Sequence, residues 1–528
     1  MELFKKLGIA SGVLFSFGIL IGFIVFPPFL KSQVKKQSVL KQGSELREMW
    51  EDLPFPLDFK IYLFNITNPA EIKAGHKPIV QEIGPFFYEE YKQKVNVIDR
   101  EEDDTVEFSF KLTWHFNQAK SAPGLSENVE LTFPHMMILG AVMTTLRERP
   151  AMVGLAAKAM DSIFHKPDSV FVKATAKQIL WDGLPVDCSV KDFAGSAVCS
   201  ILRENDGGLI KDGPENYKFA LFGHRNGTVS PDRIRVKRGL KNVLEVGVVT
   251  EFNGESKLNY WAEEGNCNTL NGTDSTIFHP YLYQDEDIVS FAPDLCRSMG
   301  AKFQKKSDVA GIASNRYTVE IGDMSKDSEL KCFCPTNTTC LKKGLFDLFN
   351  CNKAPIIASL PHLFLVDEEY LHQVNGLHPN EASKEHELFL EFEPMTGTPM
   401  SARQRLQFNI FIHPVEKFKL MKTFPTALLP LFWIEEGILL GDDILGQLKA
   451  VFKIMSIVGY MKWTMVVLGL GLGGAAGGLF YKAQQGSQKL NITKIMPKTI
   501  KNTNDGEKTW PVNVSTIQGA AVPPNLDA

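Results

Sequence analysis

The sequence predicts an α+β protein in which two terminal transmembrane helices flank one large, mainly antiparallel β-rich domain. Two uncharged apolar runs lie near the ends of the chain, at Leu7–Leu30 and Trp463–Tyr481. Between them, residues 106–116 alternate apolar and polar side chains, which is the period of a strand buried on one face. Residues 134–164 carry apolar side chains at three- and four-residue spacing instead, which predicts helices.

The composition of the whole chain conceals this organisation. The 528 residues include 57 basic and 61 acidic side chains, for a formal charge of -4, and the mean hydropathy is -0.08. A charged fraction of 22% excludes a wholly disordered chain and a bundle of many transmembrane helices. The isoelectric point near 6.3 gives no indication of a nucleic-acid partner.

The N-terminal apolar run has the length of a membrane-spanning helix. Its 24 uncharged residues would cross a hydrocarbon core of about 30 Å at about 1.5 Å per residue. A cleaved signal peptide usually has an apolar core of about 7 to 15 residues followed by small residues. Here the run closes with Phe26-Pro27-Pro28-Phe29-Leu30, before Lys31. We therefore predict a retained signal anchor.

Both apolar runs carry small residues at helical spacing. In the second run, Gly469, Gly473 and Gly477 recur every four residues. The first run contains two such sets. Gly8, Gly12 and Ser16 form one set, and Gly18 and Gly22 form the other. Small residues on one helix face let another backbone approach closely. We expect these stripes to mediate helix association, within one chain or between chains; the alternative is that glycine is merely tolerated in lipid.

Cysteines and glycosylation sequons predict which side of the membrane each segment lies on. The lysines do not, because they occur on both sides of the first span. All eight cysteines lie between the spans, which indicates an oxidising, exoplasmic compartment. We expect both termini to be cytoplasmic, so the sequons at Asn491 and Asn513 should stay unmodified. The predicted glycosylation sites, all between the spans, are Asn65, Asn226, Asn271 and Asn337.

These arguments divide the chain into five segments. The C-terminal tail is polar, rich in Lys, Asn and Thr, and has no apolar period, which predicts disorder. The segments are a cytoplasmic N-terminus (1–7), a transmembrane helix (8–30), an extracellular glycosylated and disulfide-bonded domain (31–458), a second transmembrane helix (459–481) and a disordered cytoplasmic tail (482–528).

The extracellular segment predicts one α+β domain. Residues 406–412 repeat the alternation of residues 106–116, with Phe411 as a departure. Two helices are predicted at Pro134–Arg149 and Ala151–Phe164, separated by Pro150.

The cysteines predict disulfide bonds rather than a metal site. The Cys332-Phe333-Cys334 sequence lacks the C-x-x-C spacing of a structural zinc module, and the compartment favours disulfides. Cys188 and Cys199 close a short loop, and they either pair or remain free thiols. The other six allow 15 pairings, so the residues alone do not give the connectivity. These six are Cys267, Cys296, Cys332, Cys334, Cys340 and Cys351.

Several segments match a known family. The broader match consists of YLFNITNPAEIKAGHKPIVQEIGPFFYEEYKQKVNV (62–97), RERPAMVGLAAKAMDSIF (147–164) and CNTLNGTDSTIF (267–278). With the two terminal spans and the cysteine order, they resemble the class B scavenger receptor family from Leu7 to Tyr481. Within that family the chain is most similar to the first subgroup of insect sensory neuron membrane proteins. The narrower match consists of CNTLNGTDSTIFHPYL, SFAPDLCRSMGA, CPTNTTCLKKGLFDLFNC, LQFNIFIHPVEKFKLMK and PLFWIEEGILL.

The resemblance implies a hydrophobic tunnel through the ectodomain and a helical bundle at its membrane-distal end, where lipid or its carrier arrives. It implies that Lys166 lies close to where fatty acid translocase places lysines that bind acidic ligands. Lys166, Lys173 and Lys177 are therefore candidates for the ligand entrance; the alternative is that they are solvated surface lysines. The disulfides that the resemblance implies are Cys267–Cys332, Cys296–Cys351 and Cys334–Cys340.

The sequence contains no G-x-S-x-G elbow, no H-E-x-x-H and no phosphate-binding loop, so we predict that the chain is not an enzyme and binds no cofactor or metal. The resemblance implies a sensory-neuron membrane receptor or co-receptor that captures lipid-like pheromones. It would pass them through the tunnel to odorant receptors in olfaction. The implied partners are a long-chain apolar pheromone or other lipid, an odorant receptor complex, an odorant-binding protein and the membrane.

Two departures from the family bear on localisation. Both tails lack cysteine, which excludes the acylated cysteines of fatty acid translocase, and the C-terminal tail lacks the acidic dileucine signal of the lysosomal member. The plasma membrane of a sensory neuron dendrite is therefore favoured. Two alternative functions are a general scavenger or uptake receptor for lipids or carotenoids, and a membrane organiser of receptor complexes that binds no ligand.

Overall fold

The computed structural model describes residues 2–495 except 205–207, 283, 285, 337–338 and 380–382. The described residues form two compact units. The first consists of residues 2–26 and 456–495, and the second of residues 27–455. The sequon at Asn513 and most of the predicted tail lie outside the described residues.

Strands dominate the second unit. Within its described residues, thirteen of them form one sheet, and the paired strands run antiparallel. The strands are β1 (Leu57–Ile66), β2 (Val80–Arg100), β3 (Thr105–Phe116), β4 (Glu130–Pro134), β5 (Phe171–Thr175), β6 (Leu184–Asp187), β7 (Leu209–Lys211), β8 (Asn216–Phe219), β9 (Ile234–Lys237), β10 (Val249–Phe252), β11 (Ile288–Ala292), β12 (Arg297–Val309), β13 (Ile312–Val319), β14 (Phe346–Asp347), β15 (Ile356–Ser359), β16 (Phe389–Glu393), β17 (Thr398–Ile412) and β18 (Ala427–Leu439).

The large sheet brings distant parts of the chain together. Its order is β10-β9-β3-β2-β1-β18-β17-β16-β13-β12-β11, with β15 also paired to β17 and β14 paired to β15. The two strands predicted from alternation are confirmed, since residues 106–116 lie in β3 and residues 406–412 lie in β17. β4 pairs with β5, and β6, β8 and β7 form a further small sheet.

Helices complete both units. The two predicted helices are confirmed as α5 and α6, and Pro150 begins the single turn between them. The fold is therefore α+β, as predicted. The helices are α1 (Glu2–Ile19), α2 (Phe26–Gln37), α3 (Glu45–Glu51), α4 (Pro69–Lys73), α5 (Met136–Glu148), α6 (Val153–Ile163), α7 (Phe193–Glu204), α8 (Phe349–Asn352), α9 (Glu368–Leu371), α10 (Ser383–His386) and α11 (Asp442–Ile495).

Two helical stretches are long and apolar enough to cross a membrane. They are Glu2–Gln37 and Ile444–Gln488, whose 18-residue apolar windows have mean hydropathies of 2.5 and 1.5. Helix α11 continues to Ile495, so the start of the predicted disordered tail is helical instead. The physical reason is that adding a residue to an existing helix is far easier than starting one, and Ala, Gln and Lys follow the span at 482–485.

Glycines bring the two apolar helices of the first unit into contact. The Ser11 Oγ atom donates a hydrogen bond to the Gly469 carbonyl oxygen at 2.7 Å. A Cβ atom added to Gly469 would lie 2.9 Å from the backbone nitrogen of Phe15, and one added to Gly22 would lie 2.5 Å from the Lys462 Cβ. The predicted association thus occurs within one chain, although a Cβ at Gly477 would meet nothing within 4 Å.

One apolar core joins the helices to the sheet. It includes Ile138 and Val142 of α5, Met160 of α6, and Ile61 and Leu431 of the central strands β1 and β18. All five side chains are at most 1% exposed. Helices α5, α6 and α7 pack in sequence against one another, so they form a helical layer on one part of this core.

All eight cysteines are paired in the structure. Cys188, just after β6, is bonded to Cys199 in α7, with a Cα–Cα distance of 5.6 Å. This bond fixes α7 against the end of a strand. The other three bonds link Cys267 to Cys332, Cys296 to Cys351, and Cys334 to Cys340.

A buried polar cluster borders the apolar core at Trp433 and Phe64. The Glu82 carboxylate accepts hydrogen bonds from His362 Nε2 and Trp433 Nε1, both at 2.6 Å. The backbone N–H of His378 donates to His362 Nδ1 at 3.3 Å, so both ring nitrogens of His362 have a hydrogen-bond partner. The ring of His386 is stacked on His362, with centroids 4.6 Å apart.

Protonation of His386 should weaken the fold in acid. Burial, and then the charge of neighbouring His362, lower the pKa of His386 from 6.5 to about 4. Between these values the unfolded chain binds a proton that the folded chain does not. The free energy of unfolding should therefore fall as the pH falls from about 6.5 to about 4, by up to roughly 1.4 kcal/mol per pH unit for one such proton.

Denaturant titrations of the full chain in micelles across this pH range would test the assignment. His386→Gln should make the stability less dependent on pH, whereas His76→Gln at an exposed position should not. An unchanged pH dependence in His386→Gln would contradict the role given to His386.

The glycine contacts generate a second prediction. Gly469→Leu should separate the two apolar helices, because its side chain would collide with the backbone at Phe15, whereas Gly477→Leu should have no effect. The rings of Phe4 and Phe480 lie 5.5 Å apart, so cysteines introduced at these two positions can report the contact by crosslinking. Crosslinking should fall severalfold in Gly469→Leu alone. Equal crosslinking in both glycine variants would show that the contact does not hold the helices together.

Candidate functional site

The three candidate lysines lie in and around β5. Lys166 is on the connection from α6 to β5, Lys173 is in β5, and Lys177 follows β5. All three side chains are exposed. His165 and Lys166 both adopt left-handed backbone conformations, with φ of 53° and 57°. Such conformations cost non-glycine residues roughly 1–2 kcal/mol each, so the surrounding packing must hold this tight turn in place. Lys177 forms an ion pair with Asp182 at 3.4 Å, which offsets its charge.

Lys166 and Lys173 line two different cavities that share His165. The first cavity, of about 460 Å³, is open and bordered by charges of both signs, namely Lys166 and Lys191 against Asp161 and Asp192. Asp192 is itself engaged, because it accepts hydrogen bonds from Ser162 and from the Gly195 N–H. The structure therefore does not gather the three lysines into one cationic site.

The second cavity, which we call the His135 pocket, is more enclosed and has a volume of about 400 Å³. It lies between the start of α5, the end of α6 and the strands β5 and β6. Polar side chains occupy its rim, where His165 Nε2 lies 3.2 Å from Asp187 Oδ2. Its apolar lining consists of Ile163, Phe164, Phe171, Val172, Leu184 and Pro185.

A run of aromatic rings, which we call the ring column, belongs to the same apolar core as Phe171 and Leu184 of the pocket. Trp181 lies on the turn that joins β5 to β6, the two strands of the pocket. Its ring lies 5.8 Å from Phe222, which lies 5.7 Å from Phe432 of β18, which in turn lies 4.9 Å from Phe408 of β17. Tyr88, Trp114 and Phe59 border the same column.

A chain of hydrogen bonds, which we call the polar chain, crosses the ring column. The Tyr88 hydroxyl accepts a hydrogen bond from Trp181 Nε1 at 2.7 Å and donates one to Glu127 at 2.9 Å. Tyr88 is 1% exposed, and its burial raises the pKa of the phenol. The hydroxyl therefore fixes the indole ring of Trp181 within the ring column. Sequence patterns did not reveal this arrangement, because the three residues belong to separate segments of the chain.

The predicted glycosylation sites differ in their surroundings. Asn65 accepts a hydrogen bond through Oδ1 from the Thr132 N–H at 2.8 Å, and Asn226 accepts one from the Trp114 N–H at 3.0 Å. A glycan is carried by the amide nitrogen, so both bonds are compatible with modification. Asn271 is exposed, and Asn337 lies outside the described residues.

Metal chemistry finds no support in the part of the chain that the structure describes, since it contains no cluster of three His, Cys, Asp or Glu side chains able to hold an ion. The site consists instead of an apolar pocket, a rim of mixed charge and a packed aromatic path. Such an arrangement suits the binding of an apolar molecule.

Comparison with known proteins identifies the class. The model of the CD36 family matches residues 9–480, so the chain belongs to the CD36 family, the class B scavenger receptors. The members of this family are receptors, and the prediction that the chain is not an enzyme is confirmed.

The most similar relatives found are sensory neuron membrane proteins. The chain is 58% identical to sensory neuron membrane protein 1 of Apis mellifera over 526 residues, which cover 99% of each chain. It is 43% identical to that of Antheraea polyphemus, covering 88% of each chain, and 40% identical to that of Bombyx mori, covering 96% of this chain and 98% of the relative. The chain is thus a membrane receptor of the sensory-neuron type.

The hydroxyl of Tyr88 should be needed for stability. Tyr88→Phe would leave the Trp181 N–H and the Glu127 carboxylate each without this partner, at a cost of about 1–3 kcal/mol in the free energy of unfolding. Tyr91→Phe is the matched control, because Tyr91 is 39% exposed. Denaturant titration should separate the two variants; equal stability would show that the polar chain contributes little.

Proposed function

We propose that this receptor captures lipid-like pheromones at the His135 pocket and passes them along the ring column through a hydrophobic tunnel to odorant receptors. The observation that carries the proposal is a shared apolar core: it contains Phe171 and Leu184 of the pocket and Phe432 of β18, and Trp181, Phe222 and Phe408 pack against it. Long-chain pheromones or other lipids are the proposed ligands, and an odorant-binding protein is the proposed carrier.

The energetics of an apolar chain support this route. Each methylene transferred from water to an apolar environment gains about 0.8 kcal/mol, so an apolar path lowers the cost of crossing an aqueous layer. The ring column is closely packed, with neighbouring centroids 4.9–5.8 Å apart. Passage of a ligand therefore requires these rings to move apart. Phenylalanine is suited to such movement, because its ring has no hydrogen bond to break.

We further propose that residues between the two spans face the outside of the cell, that both termini are cytoplasmic and that the protein resides in the plasma membrane of the sensory dendrite. The support is chemical. The four disulfide bonds lie between the spans, and disulfides persist in oxidising compartments.

The test uses neurons from which the protein has been deleted. Wild type or a variant is restored, and responses to a fatty pheromone and to a small soluble odorant are recorded. Val172→Trp would fill the pocket, and Val229→Trp is the matched control, since Val229 is 45% exposed and does not line the pocket. Val172→Trp should lower the pheromone response severalfold and leave the other response intact, whereas Val229→Trp should restore both.

Two outcomes would contradict the proposal. Full rescue by Val172→Trp, at normal surface expression, would favour an organiser of receptor complexes that binds no ligand. Equal loss of both responses after deletion would show that the protein does not act selectively on lipid-like odorants.

A further inference from the structure

The His135 pocket has the size and lining of a site for one end of an apolar chain. Its volume of about 400 Å³ lies within the usual range for small-molecule sites. Its walls come from four elements of the fold, and contacts link them: the His135 N–H donates to the Val170 carbonyl at 2.8 Å, and His165 after α6 lies 3.2 Å from Asp187 of β6. The pocket is therefore preformed rather than assembled by a ligand.

One polar side chain lies among these apolar walls. The His135 ring lies edge-on to Phe164, with centroids 4.4 Å apart. Its Nδ1 atom is buried and, among the residues described, has no hydrogen-bond partner. Burial lowers the pKa of His135 to about 4, so the ring is neutral near pH 7. A neutral imidazole offers one donor and one acceptor.

The rim does not favour a charged ligand. Lys173 shares this opening with the carboxylates of Asp168 and Asp187, and Asp187 Oδ2 lies 3.2 Å from His165 Nε2. A carboxylate entering the pocket would lose its hydration without meeting a free cation on the inner wall, which is costly. Moving an uncharged carbonyl or hydroxyl group out of water costs much less free energy, and an imidazole would still form a hydrogen bond with it.

We propose that the pocket selects apolar chains with an uncharged, hydrogen-bonding head group, such as an ester, aldehyde or alcohol, and that His135 binds this head group. The inference rests on the proposed function, because it concerns the ligand class of the same site. It assigns no selective role to Lys166 or Lys173, although both are exposed at the two cavities.

The experiment compares three probes of equal chain length, namely dodecyl acetate, dodecanoate and dodecane. Their equilibrium binding to the full chain in lipid nanodiscs is measured at pH 7, with binding to empty nanodiscs subtracted. Wild type should bind dodecyl acetate about tenfold more tightly than either other probe, since one hydrogen bond to a neutral group corresponds to roughly that factor.

Three variants separate head-group binding from folding. His135→Phe should reduce the affinity for dodecyl acetate about tenfold, to that of dodecane, and leave the dodecane affinity unchanged. His135→Gln keeps a donor and an acceptor and should retain a preference for the acetate. His224→Phe is the control, because His224 is also partly buried but does not line the pocket.

The outcomes distinguish this inference from the function on which it rests. Tighter binding of dodecanoate than of dodecyl acetate, or an equal loss of all three probes in His135→Phe, would overturn the inference while leaving lipid capture intact. Failure of wild type to bind any probe would overturn both.

Discussion

The pairing of β1 with β18 is the contact on which the rest of the ectodomain depends. These strands are the first and last of the domain, and they lie side by side in the middle of the large sheet. Lys60 and Glu435, which form an ion pair at 2.7 Å across them, are 375 residues apart, so closing this contact costs about 5 kcal/mol in loop entropy. The stacked rings of Tyr62 and Trp433, 3.7 Å apart, reinforce the same pair.

The two faces of this strand pair bury different kinds of side chain. On one face, β1 contributes Phe59 and Ile61 to the apolar core and ring column. On the other, Lys60 and the arginines of β17 surround the Glu435 carboxylate, at 2.6–2.7 Å. Both faces are covered, so a strand here can alternate apolar and charged residues while burying both. On the polar face, ion pairs satisfy the Glu435 carboxylate, whereas the apolar face has the chemistry that suits a lipid.

The proposed function and the proposed head-group selection both depend on the place where the apolar interior opens to the surface, which is the His135 pocket. The His135 pocket lies where the helical layer of α5–α7 meets strands β5 and β6, and its residues Phe171 and Leu184 belong to the apolar core. Charges of both signs lie around it, so the proposed recognition depends on shape, apolar area and one neutral imidazole. This agrees with membership in a receptor family and needs no reactive group.

The sequence by itself determined the two apolar spans, the strands at 106–116 and 406–412, and the helices around Pro150, because each depends on the spacing of side chains along a few turns or one strand. Resemblance to a family, rather than any local pattern, supplied three of the disulfide pairs, and the structure added Cys188–Cys199. Only the tertiary structure placed His135, Phe164 and Leu184 around one pocket, aligned the ring column and showed that Gly469 contacts its partner helix while Gly477 does not. These features join residues far apart in the chain, and no periodicity encodes which distant segments will meet.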